Sequence, residues 1–127
     1  MNKIVFFPLL SVLLFFTACN IQPEGVQLVS PDEVEELIDK DVRLIDVRTK
    51  QEFEMGHIRG AENISFTNDN FEEVIQGLNK SEPVIVYCQR GGRSGRCASR
   101  LAELGFTKIY DLDGGMSKWV SSGNKIE

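Results

Sequence analysis

The sequence predicts an α/β fold, a three-layer α/β/α domain around a five-stranded, mainly parallel sheet. Three observations predict it. Short β-branched runs alternate with stretches of helical period, the pattern of a parallel sheet covered on both faces. Helix-opening residues, Ser30 and Thr49 among them, follow two of the strands closely. About 100 residues follow an apolar N-terminal segment, which is room for one hydrophobic core.

Residues 26–29 form a short first strand. Ser30 is a strong N-cap, Pro31 suits the first helical position, and Asp32 and Glu33 complement the positive helix end. Val34, Leu37 and Ile38 recur at helical spacing and predict a helix over 31–39. Residues 42–47 read as the second strand. Thr49 caps a short helix over 50–55, which Gly56 ends. A brief third strand over 63–66 precedes a helix over 70–78, with Phe71, Val74, Ile75 and Leu78 on one face. The apolar run 83–87 is the central strand. Residues 94–104 are helical, with Gly105 past the end, and 108–112 form the last strand. Gly114-Gly115 turns into a closing helix through Trp119 and Val120.

Residue Cys88 follows the central strand and opens the run Cys88-Gln89-Arg90-Gly91-Gly92-Arg93-Ser94. A thiol at a strand's carboxyl end, at the mouth of a glycine-rich turn, faces the amino end of the next helix. Backbone N–H groups converge there, and the helix dipole favours negative charge. Arg90 and Arg93 add to the field. Such a place stabilises a thiolate, lowers the thiol pKa and makes the sulfur a nucleophile at neutral pH. Ligands of parallel sheets bind at this edge. A buried structural thiol is the competing reading of Cys88.

The Cys88 loop resembles that of the rhodanese sulfurtransferase domain, in which a cysteine heads a short loop and carries sulfur as a persulfide. Four residues separate Cys88 from Arg93. Phosphatases and arsenate reductases of the same fold have five, and a phosphorus or arsenic centre needs that wider cradle. The segment from Leu44 to Ala61, with Asp46-Val47-Arg48, Glu52 and Gly56-His57-Ile58-Arg59-Gly60-Ala61, resembles the same family. So do Gly105-Phe106 and Gly114-Gly115 with Trp119. Arg59 stands where the family often has proline. The resemblance covers about 26–120 and implies a thiosulfate sulfurtransferase-like enzyme with Cys88 as the catalytic residue. Gln89, Arg90, Gly91, Gly92, Arg93 and Ser94 would form its anion-binding loop. The implied partners are a small anionic sulfur donor and a thiol acceptor, with no cofactor. Arg90 and Arg93 would bind the donor's oxygens, which favours thiosulfate over mercaptopyruvate. A low-turnover persulfide carrier or interaction module on the same fold is the alternative.

Two readings stand for Asp46 and Arg48: support of the pocket beside Cys88, or a structural ion-pair set with Glu52 that fixes the loop. His57 is the only histidine. It lies in a turn motif, and thiolate activation by loop N–H groups does not require it. Cys97, placed in the first turn of the helix after the loop, reads as a small core residue or as a resolving thiol for oxidised Cys88. No metal-ligand spacing occurs.

The N-terminus has the three parts of a secretory signal over 1–18: the positive Met1-Asn2-Lys3, an apolar stretch over 4–16, and small residues before Cys19. The apolar stretch is shorter than the roughly 20 residues of a spanning helix. Cys19 directly after Thr17-Ala18 resembles the bacterial lipoprotein signal, in which that cysteine becomes the lipidated first residue. This implies an exported protein, lipid-anchored at a bacterial membrane surface on the periplasmic or cell-envelope side. An uncleaved anchor and a plain cleaved signal compete with it. The expected organisation is a signal over 1–18, lipidated cysteine and tether over 19–25, the domain over 26–122 and a tail over 123–127. The chain carries 14 basic and 19 acidic residues, a net charge of −5. Loss of Lys3 with the signal leaves 13 against 19, or −6. Such a charge suits neither nucleic acid nor anionic lipid, so membrane contact is expected through the lipid anchor only.

Overall fold

The computed structural model describes residues 21–127. Ten elements alternate along them: β1 (Val26–Val29), α1 (Pro31–Asp39), β2 (Arg43–Asp46), α2 (Lys50–Glu54), β3 (Glu62–Asn63), α3 (Phe71–Gln76), β4 (Val84–Tyr87), α4 (Gly92–Glu103), β5 (Ile109–Leu112) and α5 (Gly115–Ser121). The sheet order is β1-β5-β4-β2-β3, and every strand pair is parallel. The predicted α/β class and strand count hold, and the sheet is parallel throughout. No helix among the described residues is long and apolar enough to cross a membrane.

Local chemistry explains the helix starts. Ser30 and Thr49 each close a capping box, accepting from the N–H of Glu33 and Glu52 while those side chains reach back. The strongest departure is at the third strand, which has two residues, Glu62–Asn63, and shares only Asn63 with the predicted run. Beyond Asn63 the chain still donates from Ile64 to Asp46 and from Phe66 to Val47, but it then turns away from this sheet edge. The helix α3 is shorter than predicted, and Val74 faces outward because Phe71 and Ile75 take the buried side. Helix α4 starts two residues early. Gly91 adopts φ 111°, a left-handed conformation open to glycine, and serves as its N-cap.

The two faces of the sheet carry separate cores. On one, Val84, Val86 and Cys88 pack with Cys97, Ala98 and Leu101 of α4. On the other, Ile85 and Tyr87 pack with Val34, Met116 and Trp119. The strand β4 is buried along its whole length, and Cys88 follows directly on it. The C-terminal residues pack back on the domain. His57 and Glu127 exchange backbone hydrogen bonds at 2.8 and 2.9 Å, and the Trp119 indole donates to the Lys125 carbonyl at 2.9 Å.

Candidate active site

Cys88 lies one residue past β4 and is only 1% exposed. Its Sγ accepts the Gly91 N–H at 3.1 Å and lies 3.5 Å from Ser94 Oγ. Ser94 is buried in the first turn of α4, and its hydroxyl also reaches the Gly91 carbonyl at 3.2 Å. Burial is the largest single influence on the Cys88 thiol and acts to raise its pKa. The Ser94 hydroxyl and the N–H groups of Ser94, Gly91 and Arg90 together outweigh it, and the net pKa is lowered. This is a cradle for an anionic sulfur built from backbone donors.

Two supports hold the loop. On one side, Arg48 and Asp46 form a buried pair at 2.7 Å. Asp46 also accepts the Arg48 backbone N–H at 2.9 Å. Arg48 donates to the Gly56 carbonyl at 2.7 Å and to Gln89 Oε1 at 3.2 Å. Burial alone would lower the Arg48 pKa, and Asp46 more than offsets it. On the other side, the start of α5 docks on the loop backbone. Met116 and Ser117 donate to the carbonyls of Cys88 and Gln89 at 2.9 and 3.0 Å. A Cβ on Gly115 would lie 2.4 Å from the Cys88 carbonyl oxygen, so this approach requires glycine.

The expected ion-pair set is rearranged. Glu52 does not join Asp46 and Arg48. It holds Arg93 through two bonds of 2.6 and 2.8 Å. The Arg93 guanidinium holds the Glu52 carboxyl down to about 2. Arg93 is therefore committed to a protein carboxylate rather than turned toward a donor. Arg90 is exposed and has no ion-pair partner among the described residues.

His57 stacks on Phe53 with ring centroids 3.8 Å apart. Its Nδ1 lies 3.0 Å from the Phe53 carbonyl and its Nε2 lies 3.9 Å from Glu127. These contacts tie a turn to the C-terminal segment. Cys97 sits past the first turn of α4 because that helix begins at Gly92. It is buried, both it and Cys88 are free thiols, and burial first, then Asp111 and Cys88, pushes it up to about 12. Such a thiol is inert at neutral pH. No group of metal-ligating side chains occurs among the described residues. Cys19 lies outside the described residues. One acidic residue was not singled out by sequence: Asp111, buried in β5.

Fold and site together define a class: a parallel α/β domain that presents a cysteine thiol in a strand-to-helix cradle of backbone donors. Residues 30–122 match the family described as Rhodanese-like domain, and the chain belongs to that family. It is 34% identical over 126 residues to the uncharacterized protein YqhL of Bacillus subtilis, covering 99% of this chain and 96% of that one. It is 32% identical over 95 residues to thiosulfate sulfurtransferase GlpE of Pseudomonas aeruginosa, covering 75% and 84% of the two chains. Among solved structures it resembles a rhodanese-related protein from Thermoplasma volcanium, with a TM-score of 0.71 and 27% identity over 80% of this chain and 97% of that one. At the level of the family, the relatives named thiosulfate sulfurtransferase support a sulfurtransferase-like function.

Proposed function

We propose that the protein is a sulfurtransferase that moves sulfane sulfur from thiosulfate, or a related anionic donor, to a thiol or cyanide through a persulfide on Cys88. The observation that carries this reading is the Cys88 sulfur in its cradle, 3.1 Å from the Gly91 N–H, with only four residues before Arg93. The Cys88 thiolate attacks the outer sulfur of thiosulfate. The donor's S–S bond breaks, and sulfite leaves with the electron pair. The new terminal sulfur is held as an anion by the loop N–H groups. An acceptor thiolate or cyanide then attacks that sulfur, and Cys88 leaves as the thiolate that began the cycle. No external oxidant or base enters.

Arg90 is the cation available to the donor's oxygens, while Arg93 contributes field from its place on Glu52. Arg90→Ala is expected to raise the thiosulfate KM about tenfold with little change in kcat, as loss of one charge-assisted contact does. Steady-state kinetics with cyanide as acceptor reads this directly, and a fall in kcat at unchanged KM would remove Arg90 from donor binding.

The deep burial of Cys88 favours a second reading, a persulfide carrier of slow turnover. Intact-mass spectrometry of the full chain after brief exposure to thiosulfate tests the first step. A reducible gain of about 32 Da, one sulfur atom, is expected. Counting thiocyanate per chain on adding cyanide then separates the readings: many turnovers mark an enzyme, a single one a carrier. The resemblance of residues 1–18, followed directly by Cys19, to a bacterial lipoprotein signal supports an exported, lipid-anchored location for this chemistry.

A further inference from the structure

Asp111 occupies a place that the proposed cycle leaves without a role. It is paired in register with Val86, so its side chain shares the sheet face of Val86 and of Cys88 two residues on. Ile109, on the same face two residues earlier, belongs to the apolar core with Cys88, Cys97 and Ala98. A carboxyl group is therefore built into an otherwise apolar layer directly under the start of α4. Its Oδ2 lies against that helix start, 3.7 Å from where a Cβ on Gly95 would be. Its Oδ1 is buried and has no hydrogen-bond partner. An uncompensated carboxylate in such surroundings is costly.

The groups that face it come from each neighbouring element. The end of β4 presents Cys88, and α4 presents Ser94 and Cys97. Asp113 follows at the end of β5, and the register partner on β1 is the apolar Leu28. No arginine or lysine pairs with Asp111 among the described residues. Burial first, and Asp113 after it, push its carboxyl up to about 6, while the Ser94 hydroxyl favours the ionised form. That same hydroxyl is a neighbour of Cys88 Sγ. The Ser94 proton goes to the Gly91 carbonyl at 3.2 Å, and the two acids, Cys88 and Asp111, lie on one face of the sheet under α4.

We propose that Asp111 is a positioning residue for sulfur chemistry at Cys88: ionised, it opposes the Cys88 anion across the shared sheet face, and protonated, it releases that constraint. This rests on Cys88 being the reacting thiol. The two groups then titrate as one coupled pair, with a single negative charge shared at the lower pH and the second forced to a higher pH. The device tunes the sulfur to the pH of the compartment through a residue that touches no substrate.

The test is the pH dependence of Cys88 alkylation by iodoacetamide in the full chain, which reads thiolate formation and needs no sulfur donor. The wild type is expected to give a broad, two-step profile. Asp111→Asn, nearly isosteric, is expected to give a single step with its midpoint lower by about one pH unit, so that alkylation on the acid limb is about tenfold faster. An unchanged midpoint and shape in a folded Asp111→Asn protein would overturn the proposal. Should that variant not fold, the carboxyl of Asp111 can be followed by carbon NMR in the wild type and in Cys88→Ser. Coupling is reciprocal, so Asp111 is expected to titrate at lower pH once the thiolate is gone. Identical titration in the two proteins would equally overturn it. Neither measurement depends on thiosulfate as donor, so failure of the transfer reaction and failure of this coupling are told apart.

Discussion

Cys88→Ser is expected to abolish sulfur transfer, lowering kcat by a factor on the order of 10⁴ to 10⁶, the range seen when a covalent nucleophile is removed. The loss has two causes. A serine hydroxyl is not ionised near neutral pH, so the attacking anion disappears. An oxygen in that position also cannot form the S–S bond on which the cycle turns. The fold is expected to persist. Oxygen is slightly smaller than sulfur, and the site already offers the Gly91 N–H at 3.1 Å and the Ser94 hydroxyl at 3.5 Å. A serine there finds partners, and the buried polar group is not orphaned. Thiocyanate production from thiosulfate and cyanide, beside a thermal melt of both proteins, checks the two halves of the expectation. Activity within tenfold of wild type in a folded Cys88→Ser protein would end the persulfide mechanism at this residue.

The Cys88 loop was legible in the sequence because its features are local. An apolar strand, a cysteine, two adjacent glycines and a helix start lie within a dozen residues, and their order fixes the cradle. The partners of the charged residues were not legible in the same way. Arg93 and Glu52 are separated by 41 residues, and nothing in either segment says that they meet across the loop. The sequence offered Glu52 to Arg48 instead, which the fold refuses because Asp46 and the Gly56 carbonyl already occupy that guanidinium. Gly115 was readable as a turn residue, but the close approach of α5 to the Cys88 carbonyl is a property of packing. Asp111 escaped notice for a related reason. In Ile109-Tyr110-Asp111-Leu112 a single acid looks like an exposed member of an alternating strand, and only the pairing with β4 and the cover of α4 bury it. Conversely, the capping boxes at Ser30 and Thr49 gave both short helices their starts without tertiary help.

The larger structural effect is expected at Arg48. Arg48→Met removes the one cation that pairs with Asp46 among the described residues; Asp46 is fully buried and sits at the end of β2 beside the central strand. Breaking a buried pair by deleting one partner costs about 3–5 kcal/mol, because the remaining charge keeps its desolvation penalty. Against a typical total of about 5–15 kcal/mol for a domain, that is a large share. The damage should also reach the sulfur. Gln89 loses the donor on its Oε1 and the Gly56 carbonyl loses its 2.7 Å partner, so the loop is left with its hold on α5 and the Arg93–Glu52 pair. Urea denaturation reads the first effect and the rate of Cys88 alkylation at fixed pH the second. A stability loss below about 1 kcal/mol would mean that Asp46 finds other compensation and that the pair is not what holds the loop. The double variant Asp46→Asn with Arg48→Met separates charge from packing. Asparagine keeps an acceptor for the Arg48 backbone N–H, a bond of 2.9 Å in the present structure, and leaves no buried charge behind. It is therefore expected to be more stable than Arg48→Met alone, the non-additivity of two groups in direct contact.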